Sequence, residues 1–182
     1  MKPIKPCLSS FALLAAGILA GCGTTANNSP DVRDALRTSL DRANLKDVSV
    51  STDRGKGVVT LGGHVASEND RSQAEAIAKS MAGGQVVANE IGVIPPGIES
   101  DAKKINSALD QGIDKNLDAA LLQKGLRKGI SFDIKNAVVT LTGETASQAE
   151  RALVQKVASE VPNVRQVVNE LQVKNQKATS SN

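Results

Sequence analysis

Few side chains in this sequence can do chemistry, and their positions narrow what that chemistry is. Both cysteines, Cys7 and Cys22, lie near the start, so no disulfide staples the body of the chain. Cys22 follows Leu19-Ala20-Gly21 and precedes the polar residues Thr24, Thr25, Asn27 and Asn28, which makes its thiol a nucleophile for acylation at the edge of a targeting segment. His64 is the sole histidine, with no cysteine partner for a metal and no motif supplying the serine and carboxylate of a triad. Metal, cofactor and catalysis are therefore not expected. Gly55-x-Gly57 and Gly62-Gly63 are too short for a phosphate loop and read as hairpin glycines that supply positive φ. Asn89 and Asn169, in otherwise apolar strands, are expected to bond a neighbouring loop or helix end. Between Leu122 and Lys128 basic and apolar residues mix: Lys124, Arg127 and Lys128 could meet phosphates while Leu122 and Leu126 enter the apolar boundary below. The same residues also fit a plainer role, basic groups at the negative end of a helix and leucines in a core.

Composition removes other classes. The only aromatic residues are Phe11 and Phe132, so bases have no stacking platform and quaternary ammonium groups no aromatic cage. The formal charge of +3 falls to +1 once Lys2 and Lys5 leave with the targeting segment. Nucleic acid, which needs a concentrated basic face, is not an expected partner.

Residues 1–21 have the three-part form of a signal peptide, with Lys2 and Lys5 before an apolar or small run from Phe11 to Ala20. That run is too short to span a bilayer, which takes about 20 apolar residues. Leu19-Ala20-Gly21-Cys22 resembles the bacterial lipobox, and the resemblance implies cleavage before Cys22 with attachment of palmitate-type chains to its thiol. Gly23, in place of Asp, resembles the sorting signal of lipoproteins passed to the outer membrane. Residues 22–30 would then form a tether reaching at most ~30 Å, at ~3.3 Å per residue.

The elements that position these residues come in duplicate. Val58-Val59-Thr60-Leu61-x-Gly63 recurs 80 positions later as Val138-Val139-Thr140-Leu141-x-Gly143, and the match continues through Ser67/Ser147, Arg71/Arg151, Asn89/Asn169 and Glu90/Glu170. Upstream, Val32, Leu36 and Leu40 recur at helical spacing and align with Ile113, Leu117 and Leu121. Ser67-x-x-Asp70 and Ser147-x-x-Glu150 predict capped second helices, stopped at Gly83-Gly84 and Pro162-Asn163. A last strand is expected through Val87, Asn89, Ile91 and Val93, and through Val167, Asn169, Leu171 and Val173. The fold class is α+β: two tandem α-β-β-α-β modules, 31–94 and 101–173, each a three-stranded mixed sheet with two helices on one face, then a polar tail, 174–182. The first helix of the second module should run from about Asp101 to Lys124. Modules this small are expected to dock, joined stiffly through Pro95-Pro96-Gly97.

That element order, the V-T-L-x-G strand, the capped helix and the V-x-N-E final strand resemble the BON domain. With the lipobox, the chain resembles two-BON outer-membrane lipoproteins. The resemblance implies a non-enzymatic envelope protein, anchored in the outer membrane and facing the periplasm, that binds anionic phospholipid and supports envelope integrity. It places the lipid contact on the first helix of the second module, whose end, with the residues that follow it, offers Leu122, Lys124, Leu126, Arg127 and Lys128. An adaptor that docks an envelope protein partner through an open sheet edge or helix face is the second reading.

Replacing Cys22 by Ser should leave an uncleaved or soluble species that no longer incorporates labelled palmitate, whereas Cys7→Ser should change nothing. A Cys22→Ser chain that still labels and floats with membranes would overturn the lipobox reading.

Overall fold

The computed structural model describes residues 29–174. Cys22, its targeting segment and most of the tail lie outside the described residues. The chain runs α1 (Arg33–Arg42), β1 (Val48–Asp53), β2 (Val58–Val65), α2 (Glu68–Met81), β3 (Val86–Asn89), β4 (Gly92–Val93), then α3 (Glu99–Gln123), β5 (Ile130–Lys135), β6 (Val138–Thr145), α4 (Gln148–Ser159), β7 (Gln166–Asn169) and β8 (Gln172–Val173). In each half an antiparallel hairpin is followed by a helix, and the chain returns parallel to the central strand. Strand orders are β1-β2-β3 and β5-β6-β7, so the predicted α+β duplication holds.

Alternation puts Val59 and Leu61 on the helix side of β2, fully buried among Leu36, Leu40, Ala74 and Ala78. Val139 and Leu141 occupy the same positions beneath Leu117, Leu121, Val154 and Ala158. Both capping serines act as expected: Ser67 Oγ accepts from Asp70 N–H at 3.2 Å, and Ser147 Oγ from Glu150 N–H at 3.1 Å. The Glu150 carboxylate reaches back one residue past the cap, accepting from Ala146 N–H at 2.7 Å.

Two expectations are corrected. The last strand of each module is split, β3 from β4 and β7 from β8, although the register on the central strand is unchanged across the gap, with Leu61 facing Asn89 and His64 facing Gly92. Gly62 and Gly63 lie inside β2 rather than at a hairpin turn. Gly63 and Gly143 adopt φ of 86° and 114°, and a Cβ on either would fall on the carbonyl oxygen of Asp47 or Gly129. The glycine of the repeated motif is therefore required where the central strand bends against the start of its neighbour, the same place at which the third strand is interrupted.

α3 is 25 residues long against 10 for α1. Its apolar stripe, Ile98, Ala102, Ile105, Leu109, Ile113, Leu117 and Leu121, is buried at its C-terminal end, but Ile105 is 66% exposed. The modules dock through the sheet faces turned away from the helices, where Val58, Ala88, Val138 and Val168 form one buried cluster.

Truncating Leu141 to Ala should destabilise the chain by ~2–5 kcal/mol in urea denaturation. A loss below about 0.5 kcal/mol would instead mark a surface position.

Candidate functional site

The basic and apolar residues singled out at the end of α3 are separated by the geometry of the helix stop. Gly125 turns left-handed at φ 69°. Its N–H bonds the Leu122 carbonyl at 3.0 Å, and Leu126 N–H bonds that of Leu121 at 2.8 Å. This 6→1 and 5→2 pairing folds the side chain after the turn back onto the helix. Leu126 is accordingly 7% exposed and part of the core, so the expectation that it enters a headgroup layer is corrected. Arg127 is partly exposed but fully engaged. Its Nε bonds Asp118 at 2.6 Å, its guanidinium donates to the Ile130 carbonyl, and it lies 5.1 Å from the centroid of Phe132. Phe132, on β5, thus brings an aromatic ring beside a helix that carries none. Leu122 is 58% exposed, and Lys124 and Lys128 are exposed with no ion pair among the described residues.

The first module secures the same carbonyl from a different position. There Arg37, on α1, donates to Val48 and, at 2.9 Å, to Lys46, and pairs with Asp41 at 3.1 Å. Asn89 and Asn169 cap loops, as expected. Their oxygens accept from Ile91 and Leu171 N–H across the strand gap, and their amides reach Glu75 at 2.8 Å and Gln155 at 2.9 Å on the preceding helix.

A second cluster of polar groups, which sequence spacing does not indicate, ties the modules together. Lys56 pairs with Glu170 at 2.6 Å, while Asn136, the equivalent of Lys56, donates to the Glu90 carbonyl at 2.7 Å, with Lys135 3.4 Å from the Glu90 carboxylate. Gln166 acts as a piece of strand. Its amide donates to Val87 C=O at 2.6 Å and accepts from Asn89 N–H at 3.0 Å, closing two groups on the edge of β3. Asp110 accepts from the N–H groups of Asn136 and Ala137 at 2.9 and 2.8 Å, holding a two-residue turn in which both residues have positive φ.

Burial pushes the Glu90 carboxyl above the usual carboxylate range, opposed by Lys135. Hydrogen bonds from Lys79 and then Asn89 hold Glu75 below it. The bond to Glu170 raises Lys56.

Two grooves flank α3. One, of about 620 Å³, lies along β5 from Phe132 to Asn136, with Asn106, Ser107 and Gln111 of α3 on one wall and His64 and Ile94 among the first-module residues on the other. The other, of about 500 Å³, is lined by Ile91, Leu109, Val164 and Arg165 among others. Among the described residues no group of three or more His, Cys, Asp and Glu is placed to hold a metal, and no helix is long and apolar enough to cross a membrane.

A family model described as BON domain matches twice, at residues 28–95 and 107–175. Osmotically-inducible protein Y of Escherichia coli (strain K12) is 28% identical over 140 residues, which span 74% of this chain and 67% of that protein. Two solved structures of CdsD, a structural protein of the type III secretion system of Chlamydia trachomatis, align with 77% of this chain at 14% and 15% identity and TM-scores of 0.32 and 0.31. This chain spans 66% and 62% of those structures, and at such scores the likeness carries no argument.

A carboxyl whose folded-state value is raised stabilises the fold most below its unfolded value, and that contribution is lost as pH rises through the folded one. Glu90→Gln, which keeps the group uncharged, should therefore melt above the parent chain near pH 7 and level with it near pH 4, followed by circular dichroism. A variant melting lower at neutral pH would show that the Lys135 pair outweighs burial.

Proposed function

The chain belongs to the BON domain family, with two copies of the module, and on that footing we propose that it is a non-catalytic envelope protein whose second module touches anionic phospholipid. The reading places the protein at the periplasmic face of the outer membrane, held there by acyl chains on Cys22, where it supports the integrity of that membrane.

The observation that carries it is the division of labour at the end of α3. Leu126 packs in the core and Arg127 is bonded to Asp118 and the Ile130 carbonyl, which leaves Leu122, Lys124 and Lys128 exposed at the helix stop without a partner of that kind. An apolar side chain beside two cations suits the boundary between headgroups and acyl chains. Each cation near a negative surface contributes about 1 kcal/mol, so the contact is weak in isolation. Tethering makes weak affinity sufficient, because an anchored module meets lipid at high effective concentration.

The test is flotation of the unacylated chain, residues 23–182, with phosphatidylglycerol vesicles. Binding should weaken with salt, and the double change Lys124→Gln and Lys128→Gln should remove about 2 kcal/mol, roughly a thirtyfold loss. Equal binding by both chains, or no binding by either, would sink this reading in favour of an adaptor that docks a protein partner.

A further inference from the structure

We propose that the groove beside β5 receives an extended peptide segment of a partner protein, which adds to the second sheet as a fourth strand. The inference does not rest on the lipid reading.

It starts from the direction of the main-chain groups of β5. Gly129 C=O bonds Glu144 N–H on the β6 side, whereas Ile130 C=O turns away and takes the Arg127 guanidinium. Successive residues of a strand alternate, so Phe132 and Ile134 also direct their N–H and C=O groups away from β6. The two-residue turn at Asn136-Ala137 agrees, since it closes on Lys135 and Val138 as a bonded pair. β5 is the outer strand of its sheet, and among the described residues nothing bonds those four groups of Phe132 and Ile134.

What distinguishes this edge from an ordinary one is its wall. The long N-terminal half of α3 stands beside it and makes a trough over residues 132–136, a length of about 17 Å that suits five residues of strand. Lysines 103, 115 and 135 in the trough are matched by aspartates 110, 114 and 133, so charge selects neither a cation nor an anion. The recurring unsatisfied feature is a row of amides and carbonyls at strand spacing, which an extended backbone complements. Asn106, Ser107 and Gln111 can bond the outer side of such a backbone, and Ile94, Phe132 and Ile134 offer apolar contact to alternate side chains. The first module already shows this kind of pairing at one point, where Ser29 N–H bonds Arg54 C=O at 3.0 Å just beyond β1. The edge of β1 has no helical wall, because α1 lacks the extension.

The probe is a capped octapeptide of alternating Val and Thr, added to residues 23–182, with amide exchange followed residue by residue. Exchange at Phe132 and Ile134 should slow at least about tenfold, while Val50 and Thr52 on the β1 edge stay unchanged. The same peptide N-methylated at alternate residues should protect neither. Ser107→Trp, at an exposed position that fills the trough, should weaken binding about tenfold with an unaltered melting curve. Four results would each overturn the proposal: no slowing at those amides, equal protection at Val50, undiminished binding of the N-methylated peptide, or undiminished binding to Ser107→Trp. Phosphatidylglycerol vesicles protecting the same amides in place of the peptide would assign the groove to the membrane instead.

Discussion

A three-stranded sheet with both helices on one side leaves its other side bare, and a chain without tyrosine or tryptophan has little with which to cover it. Each module answers with the other. Val58 and Ala88 of the first sheet meet Val138 and Val168 of the second, and the polar seam follows from that contact. Without it the edges of β3 and β7 would not be brought near each other, Gln166 would have no strand to complete, and the Glu90 side chain would not be largely covered. The stiff connection and the extra length of α3 serve the same end, since Asp110 holds the turn whose Asn136 reaches into the first module.

The seam has the form of a two-fold contact. Positions related by the repeat appear on both sides: Lys56 and Asn136 each address the other module's glutamate, and Val58 and Val138 share one cluster. The repeated pair Asn-Glu at the end of each third strand thereby has two separate jobs. The asparagine ties the strand gap to the module's own helix, and the glutamate faces the neighbouring module. Intramodule and intermodule contacts are carried by adjacent residues, so docking is connected directly to the irregular point of each sheet.

Much of the fold could be read from the sequence because its signals are local. The buried faces, the capping serines and the position of the helix stops each follow from spacing within a few residues. The strand gap could not, since Val87, Asn89, Ile91 and Val93 keep one parity whether or not the strand is continuous. Of the candidate site, Leu122, Lys124 and Lys128 lie exposed on the surface that their spacing suggested. Leu126 does not, and Arg127, though partly exposed, is bonded to its own module, because a left-handed Gly125 reverses the chain, and five residues of mixed character hide that reversal. Arg127 has a structural counterpart in Arg37, yet the two occupy unrelated positions in the repeat: one comes from a helix, the other from a loop, and only the carbonyl they satisfy is equivalent. Asn136, Gln166 and Glu90 escape sequence reading for a different reason. Their partners lie in the other module, beyond any periodicity.

The side-chain amide of Gln166 has a consequence for how such a molecule can change. In a contact between two identical chains every substitution occurs twice, on both sides of the axis, and a residue that suits one side is imposed on the other. Here the position equivalent to Gln166 is Val86, which is exposed and makes no matching bond. Joining the two modules in one chain lets each half of the seam vary alone, so one edge can be closed by a glutamine while its twin keeps a valine. Tandem duplication thus converts a symmetric contact into two independently adjustable ones, and the geometry of the whole survives while its halves diverge.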